Sequence, residues 1–473
     1  MAPPAAEREA LSMVDTAWLR MDRPSNLMMI CGMMLLDARV DLQQLKEVIR
    51  ARMLCFHRFR QRVADSHGDP HWEFDPGFDL DWHVRHLVLH ADAVLEDVVS
   101  ELASTALDPA KPMWQWHVID SAQGSAQGST LVLRIHHCYG DGFALMHVVE
   151  AMTDVDPAHP RRARTDLAAR APARGAWERV LGPVAETVGD AARGSLAAAA
   201  AGAGLLTHPL RAFGYARRGA DLLYQAGVIA AMAPDAPSRL KGELGVAKRV
   251  AWAQPLSLFE VKALAEGLGC SVNDVLVACV AGALRAWLLE AGDTVAAQPI
   301  RALVPVNMRP PGPVTELGNR FGLVFLDLPA GIADPVERVR AVHRGMGELK
   351  NSQQPLVALG LLAGMGVAPE FIKERVLEAL AANASIVITN VRGPEQPRYL
   401  AGRRIGREMF WVPQSGGIGI GVSILSYAGQ VSFGVVADLA RVPDPAEITA
   451  CFTTEFEALL LRALLMPWPR RRT

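Results

Sequence analysis

Helical and strand-like hydrophobic patterns alternate in two separate parts of this chain, on either side of a basic stretch rich in Ala and Gly. The chain has 473 residues, which is too long for one ordinary core and suits two domains. We therefore predict an α/β fold, with two domains of mixed sheets flanked by helices and joined by a helical linker. The predicted ranges are 1–155 for the first domain, 156–248 for the linker and 249–473 for the second domain.

In the first domain, apolar residues at spacings of three and four predict a helix over Leu42–Met53, and similar spacing recurs over Phe143–Met152. The apolar run Leu27–Leu36 begins too late for a signal peptide, so we expect a buried strand there. A second strand is predicted over Ser129–Ile135, after a turn rich in Gly, Ser and Gln.

In the second domain, helical patterns cover Ser257–Leu268 and Val272–Ala291. The predicted strands are Arg249–Ala253, Ile300–Val306, Leu323–Leu328, Ser385–Asn390, Gly417–Ile424 and Gln430–Val436.

The charge balance and the cysteines exclude several classes of protein. The formal net charge of -2 gives no reason to expect a nucleic-acid partner. The six cysteines are scattered and form no CxxC pair, which is typical of reduced thiols in a cytosolic protein. No uninterrupted apolar run approaches the length of a membrane span, so any membrane contact should be peripheral.

Two basic segments favour contact with anionic lipid. Residues 161–249 hold fourteen Lys/Arg against seven Asp/Glu, and Arg470–Arg472 follow Trp468 at the C-terminus. For the linker, a solvated charged face explains the same pattern equally well. The lipid interpretation predicts membrane association that weakens with salt.

A short polar motif with two histidines follows the predicted strand Ser129–Ile135. It contains His136 and His137, and the pair Asp141-Gly142 follows after three residues. Successive strand side chains point to opposite faces, so the two histidines cannot share a metal ion without a bend in the chain. We therefore predict no metal site, with one histidine facing the sheet and the other a cleft.

The motif suits proton transfer from a hydroxyl group. A neutral imidazole is a suitable general base, and the Asp141-Gly142 turn can bring the carboxylate back to orient the ring or to fix the turn. An activated serine is not required if the acyl donor is a thioester, and the chain has no G-x-S-x-G elbow. The alternative is a packed strand end followed by an ordinary turn.

Several further motifs occur in a fixed order along nearly the whole chain. They are Leu11–Leu19, Lys111–Trp114, Ser271–Leu276, Val304–Arg309, Gly318–Gly322 and Thr389–Pro394. With these motifs, the chain resembles the bacterial wax ester synthase/diacylglycerol acyltransferase family. That family belongs to the CoA-dependent acyltransferases built like chloramphenicol acetyltransferase, so the resemblance implies two domains of that type.

The resemblance implies that His137 deprotonates a long-chain alcohol or diacylglycerol, whose oxygen then attacks acyl-CoA. Acyl-CoA would be a co-substrate, with no cofactor and no metal. The product would be a wax ester or triacylglycerol. From the cysteines and the basic segments described above, we expect a cytoplasmic protein that associates peripherally with a membrane or lipid droplet. Related acyltransferases pair the motif aspartate with an arginine, and Arg309 is the candidate partner of Asp141.

Four other residues are candidate site residues. Asn273 lies in the first turn of the helix predicted after Ser271, where it could stabilise an oxyanion or simply help to cap the helix. Trp114 could line an acyl channel, brace the active-site loop or pack in the core. Asn390 and Arg392, in the motif Thr389–Pro394, are predicted to bind substrate. Small residues at Gly416–Gly421 would let an acyl chain approach the backbone.

The chain departs from the family pattern near its N-terminus and inside the histidine motif. Leu27-Met28-Met29 stands where a Pro-Met-His stretch is usual, Asp22 where glutamate is common, and Cys138–Gly140 is an unusual filling of the motif. These departures bear on acceptor preference and activity more than on the fold.

Two alternative functions are compatible with these patterns. One is a catalytically quiet protein that coats storage lipid. The other is a condensation enzyme of peptide synthesis, which the absence of a carrier-protein serine motif disfavours.

Overall fold

The computed structural model describes residues 8–66, 69–121, 128–159, 235, 238–295, 300–309, 317–350, 352, 354–367, 382–414 and 416–466. Most of the predicted linker and the C-terminal arginines 470–472 lie outside these ranges. The helical linker and the lipid-binding roles of the two basic segments therefore stay predictions.

The strands are β1 (Glu9–Ala10), β2 (Met29–Leu36), β3 (Gln61–Ser66), β4 (Asp69–Phe74), β5 (Val84–Leu89), β6 (Trp114–Ser121), β7 (Thr130–His136), β8 (Lys248–Trp252), β9 (Leu256–Ser257), β10 (Ile300–Asn307), β11 (Phe321–Leu328), β12 (Ile386–Arg392), β13 (Tyr399–Leu400), β14 (Arg403–Trp411), β15 (Ile420–Tyr427) and β16 (Gln430–Asp438). The α-helices are α1 (Met13–Met21), α2 (Leu42–Val48), α3 (Leu80–His83), α4 (Leu95–Ser104), α5 (Gly142–Met152), α6 (Leu258–Leu268), α7 (Val272–Glu290), α8 (Pro335–Lys350), α9 (Gln354–Val367) and α10 (Pro445–Leu464).

The first large sheet has the strand order β13-β14-β2-β7-β6-β5, and β5 pairs with β6 in parallel while the other pairs are antiparallel. Its central strand β2 is apolar throughout because both of its faces are covered. Met29, Cys31 and Met33 belong to one apolar cluster, while Ile30 and Met34 belong to another.

The second large sheet has the order β11-β10-β12-β15-β16-β8, and β9 also pairs with β16. Strand β12 is parallel to both of its neighbours, and the other pairs are antiparallel. A small antiparallel sheet, β1-β4-β3, completes the described strands. The prediction of two α/β units with mixed sheets is confirmed.

The predicted elements of the first domain are present. Strands β2 and β7 cover the two predicted strands, and α5 begins one residue before the predicted helix. The helix predicted over Leu42–Met53 consists of α2 followed by a π-helical segment, Ile49–Met53. The positions of these elements agree with the prediction because the apolar patterns are strong and local.

The predicted elements of the second domain are also present, as α6, α7, β8, β10, β11, β12, β15 and β16. The sequence analysis assigned nothing to β13 and β14. These strands lie in the range predicted for the second domain, yet they pair into the sheet of the first, where Met409 of β14 is opposite Met33 of β2. The domain boundaries themselves stay a prediction.

Helix α7 has the length and apolar composition of a membrane span, alone among the helices of the described ranges. Within its most apolar window, 72% of the residues are buried in the protein. Its buried residues, such as Val275 and Leu284, belong to the core between the second sheet and α10. It is therefore packed as a core helix.

Candidate active site

His137 lies directly after the end of β7, in a short 3-10 helix formed by His137–Tyr139. Its ring stacks on Trp18 of α1, with 4.1 Å between ring centroids and 16° between ring planes, and lies 5.7 Å from the ring of Phe321. The chain turns away from the sheet after His136. The two histidines therefore have different surroundings, as the alternation of side chains along a strand predicted.

The His137 side chain lines a cavity between the two large sheets. The first domain contributes residues from α1 and α5, and the second contributes residues from β10, β11, β12 and α9. The lining residues are Trp18, Met21, His137, Asp141, Gly142, Phe143, Leu303, Pro305, Phe321, Leu323, Leu362, Val387, Thr389, Val391, Val412 and Pro413. The wall is mainly apolar, with His137, Asp141 and Thr389 as its polar side chains.

The imidazole of His137 is held neutral by its surroundings. Burial lowers its pKa to about 4, and the nearby Asp141 carboxylate opposes part of this shift. A neutral ring keeps one nitrogen lone pair free to accept a proton, so the group is available as a base at neutral pH.

His136 supports the loop rather than lining the cavity. Its Nδ1 atom accepts a hydrogen bond from the backbone N–H of Cys138 at 3.1 Å, which places the proton of a neutral ring on Nε2. That Nε2 atom lies 3.8 Å from Oδ1 of Asp22. Burial lowers the pKa of His136 to about 3, so the ring is neutral.

Asp141 fixes the turn after the histidines. Its Oδ1 atom accepts from the backbone N–H of Ala144 at 2.9 Å and so caps α5. Its Oδ2 atom accepts from Arg309 Nη2 at 2.7 Å and from the backbone N–H of Arg320 at 2.8 Å. The predicted contact between Asp141 and Arg309 is present, and it links the two domains at the site. Gly142, the next residue, lines the cavity and begins α5.

A second set of hydrogen bonds holds the backbone of His137 itself. The Nδ2 atom of Asn319 donates to the carbonyl oxygen of His137 and to Oδ1 of Asp15, each at 2.7 Å. The backbone N–H of Gly318 donates to the carbonyl of Tyr139 at 3.2 Å. Gly318 has φ +106°, and a side chain there would approach the Asp15 carboxylate.

The motifs Leu11–Leu19, Val304–Arg309 and Gly318–Gly322 therefore converge on the histidine motif. Leu11–Leu19 supplies Trp18 and Asp15. Val304–Arg309 supplies Arg309, and Gly318–Gly322 supplies Asn319. Among these residues the sequence analysis gave a role only to Arg309, as the partner of Asp141. The structure shows that all three motifs position the loop that carries His137.

Thr389 is a polar cavity residue that the sequence analysis did not single out. Its side chain is 8% exposed overall, and its Oγ1 atom is buried without a hydrogen-bond partner among the described residues. It lines the same cavity as His137. A buried hydroxyl without a partner can donate a hydrogen bond to a substrate oxygen. In the sequence, only the alternation of side chains along β12 could have indicated that Thr389 faces the cavity.

Asn273 and Asn390 are brought together, but away from the His137 cavity. The Nδ2 atom of Asn390 donates to Oδ1 of Asn273 at 2.9 Å. On β12, Val387, Thr389 and Val391 line the cavity, whereas Asn390 lies on the alternate face. The placement does not support the predicted oxyanion role of Asn273, because its helix lies on the other side of the sheet.

The capping interpretation of the same segment is confirmed. The Ser271 side chain accepts from the backbone N–H of Asp274, and Asp274 accepts from the backbone N–H of Ser271, which is a complete capping box.

Trp114 and Arg392 are not brought to His137 either. Trp114 is fully buried, stacks on His83 at 4.1 Å between centroids, and donates from Nε1 to the carbonyl of Phe59. It packs in the core, as the alternative interpretation held. Arg392 is exposed at the end of β12 and pairs with Glu395. Neither residue lines the cavity, so their predicted substrate contacts have no support from this geometry.

The glycines of Gly416–Gly421 allow a close approach of the protein's own chain. A Cβ atom at Gly417 would lie 3.0 Å from the carbonyl oxygen of Gly242, and one at Gly419 would lie 2.7 Å from that of Leu240. The predicted approach of an acyl chain here was therefore wrong, because the space is filled by the segment before β8.

Comparisons with known proteins match both parts of the chain. Residues 11–276 match the family model described as the wax ester synthase/diacylglycerol acyltransferase catalytic domain. Residues 317–460 match the model described as the WS/DGAT C-terminal domain.

Two relatives from Mycobacterium tuberculosis resemble nearly the whole chain. One, from strain H37Rv, is described as a probable diacylglycerol O-acyltransferase, tgs1, and is 26% identical over 87% of this chain and 86% of its own length. The other, MT1809 of strain CDC 1551, carries the name putative diacylglycerol O-acyltransferase and is 26% identical over 97% of this chain and 92% of its own length.

Solved structures show the same fold. The wax ester synthase/diacylglycerol acyltransferase from Marinobacter aquaeolei VT8 has a TM-score of 0.69 at 22% identity, covering 97% of this chain and 100% of that one. The first condensation domain of the CDA synthetase has a TM-score of 0.59 at 16% identity, covering 97% and 96% of the two chains.

Proposed function

The chain belongs to the wax ester synthase/diacylglycerol acyltransferase family, and we propose that His137 is the general base of its acyl transfer. The proposed acyl donor is a long-chain acyl-CoA, used as a co-substrate without a cofactor or metal. The proposed acceptor is the hydroxyl group of a fatty alcohol or of diacylglycerol, which gives a wax ester or triacylglycerol.

In the proposed reaction, the neutral ring of His137 takes the proton from the acceptor hydroxyl. The oxygen attacks the thioester carbonyl and forms a tetrahedral intermediate, whose negative oxygen the Thr389 hydroxyl is placed to stabilise. The carbon–sulfur bond then breaks, and the imidazolium returns its proton to the CoA thiolate. The ester and free CoA leave.

One observation carries the proposal. His137 is buried, held neutral, and opens into an apolar cavity whose two walls come from different domains. Such a cavity excludes water from the thioester and favours aliphatic substrates. Asn319 and Arg309, which both belong to the second domain, donate hydrogen bonds that hold the loop carrying His137.

Replacement of the base tests this proposal. We expect His137→Gln to lower kcat for CoA release by roughly a hundred- to ten-thousand-fold with hexadecanol or diacylglycerol as acceptor, since the amide cannot accept the proton. The exposed His90 provides the control, because His90→Gln should leave the rate unchanged. Equal ester formation by the His137 variant would refute the role.

We also propose a cytoplasmic location, with peripheral attachment to a membrane or lipid-droplet surface. The support is the basic charge of residues 161–249 and of the arginines 470–472, which favours anionic lipid. Liposome flotation at low and high salt tests it. Binding to anionic vesicles that disappears at high salt is expected, and no flotation at low salt would contradict it.

A further inference from the structure

A second cavity lies beside the His137 cavity and is lined by a buried carboxyl group. Strands β2, β7 and β14 form its floor, and α5 covers it. The lining residues are Ile30, Gly32, Met33, Met34, Leu133, Ile135, Gly142, Leu145, Met146, Val149, Val391, Glu408, Met409, Phe410 and Leu425. Gly142 and Val391 line both cavities, so the two adjoin.

Every lining side chain of this second cavity except Glu408 is apolar. Glu408 lies on β14 opposite Met34 of β2 and is 4% exposed. Both of its carboxyl oxygens are buried and have no hydrogen-bond partner among the described residues. Leaving a buried polar group unpaired costs stability, and such a group at a cavity indicates a ligand contact.

The charged groups nearby do not satisfy Glu408. Burial and, to a smaller extent, the negative charge of Glu150 raise its pKa, the positive charge of Arg398 opposes both, and together they raise the pKa of Glu408 to about 8. No hydrogen bond joins either residue to it in the described part of the chain. At neutral pH the carboxyl therefore keeps its proton, and it can both donate and accept a hydrogen bond.

We propose that the second cavity binds an aliphatic chain that carries a hydroxyl group, and that Glu408 hydrogen-bonds this hydroxyl and selects for it. A hydroxyl can donate and accept, so it matches the carboxyl in either protonation state. The apolar wall would hold the methylene groups on both sides of it. This inference rests on the proposed function, because the chain would reach Glu408 from the reacting end at His137.

Gly32 keeps the second cavity open. A Cβ atom at this position would meet no other atom within 4 Å, and the residue lies two positions before Met34 on the same face of β2. A larger side chain therefore fits without a backbone clash and occupies the space beside Glu408. Gly32→Leu thus blocks the cavity without changing the carboxyl.

The test measures selectivity between matched substrates. One arm compares long-chain acyl-CoAs of equal length, plain or with a hydroxyl at successive carbons, with hexadecanol as acceptor. The other arm compares a fatty alcohol with diols of equal length, with plain acyl-CoA as donor. The arm in which the preference occurs identifies the substrate that enters the second cavity.

In the protein with Glu408, we expect kcat/KM to be highest for a hydroxyl at one chain position. Glu408→Met should lower the ratio of hydroxylated to plain substrate about tenfold, which corresponds to one buried hydrogen bond. Glu408→Gln should largely keep the ratio, because its amide also donates and accepts. Gly32→Leu should reduce the use of the longer chains.

Glu348, exposed on α8, is the matched control, and Glu348→Met should leave the ratios unchanged. Glu408→Met should unfold at no lower temperature than the unmodified protein, because it removes an unpaired buried polar group. Unchanged ratios in Glu408→Met at every hydroxyl position would overturn the inference while the activity with plain substrates upholds the proposed function.

A binding measurement is independent of turnover. Hydroxylated and plain fatty alcohols, and hydroxylated and plain fatty acids that represent the acyl chain, are compared by displacement of a fluorescent fatty-acid probe from the unmodified protein and from Glu408→Met. Tighter binding of the hydroxylated member of either pair that is lost in Glu408→Met supports the selection even if no ester forms. Equal displacement within both pairs in both proteins contradicts it.

Discussion

At the scale of single residues, burial sets the protonation state of His137. His137 has a pKa lowered to about 4, and Asp141 only partly opposes this shift. The ring is therefore neutral throughout the physiological range, whereas an exposed histidine is partly protonated near pH 6.5.

This shift predicts the acid limb of the pH profile. We expect kcat/KM to stay level from pH 7 to about 5 and to fall as the pH approaches 4, because only the neutral ring accepts a proton. The measurement is the initial rate of CoA release across this range. An inflection near pH 6.5 would contradict the neutral, buried ring.

The same shift affects stability, so the profile needs a control. A histidine with a lowered pKa in the folded protein takes up its proton more readily when unfolded. Its contribution to stability is full above pH 6.5 and is lost as the pH falls toward 4. Circular dichroism at each pH should therefore accompany the rates.

At the scale of elements, Asp141 joins the start of α5 to the loop that follows β10. The ion pair with Arg309 is nearly dry, since the two side chains are 4% and 8% exposed. Burying two charges is costly, and the attraction between them compensates only while both are present. The pair thus fixes the geometry of the turn, and the stability of the protein depends strongly on the presence of both partners.

We predict that Asp141→Ala lowers the free energy of unfolding by about 3–5 kcal/mol, because it leaves the Arg309 charge buried and unpaired. Urea unfolding gives the value. Asp444 caps α10 at the surface, and Asp444→Ala should cost about 1 kcal/mol, the loss of a cap alone. Equal losses in the two variants would show that the ion pair adds nothing.

At the scale of the whole molecule, the second part of the chain contributes strands to both large sheets. Strands β13 and β14 leave the second domain's part of the chain and complete the first sheet beside β2. Strand β15 then returns to the second sheet. The cavity between the sheets is therefore bounded by a connection that crosses from one to the other.

We predict that a fragment of residues 1–155 does not fold alone. Without β14, strand β2 becomes an exposed apolar edge, and the contacts of Ile405 and Trp411 with the core are lost. We expect aggregation or loss of near-ultraviolet circular dichroism. Co-expression with residues 156–473 should restore a soluble complex, and a well-folded isolated fragment would contradict the prediction.

Local pattern determined much of the fold. The strands β2 and β7 and the helices α5 and α7 follow from apolar periodicity and caps that lie within each segment. Strand β14 was missed because its charged residues, Arg403, Arg404 and Arg407, obscure the alternation. Its partner β2 is more than 350 residues earlier in the chain, and a local sequence pattern cannot predict pairing between strands so far apart.

The sequence by itself determined the histidine motif, the proposed general base and the family resemblance, because these depend on residue types at short spacings. Tertiary structure alone decided which of the other motif residues reach His137. It brought Trp18, Asp15, Asn319 and Arg309 to the loop and left Asn273 and Asn390 on the far side of the second sheet. It also determined the surroundings of Thr389 and Glu408. The burial of both residues, their lack of hydrogen-bond partners among the described residues and the pKa of Glu408 depend on chain segments that meet only after folding.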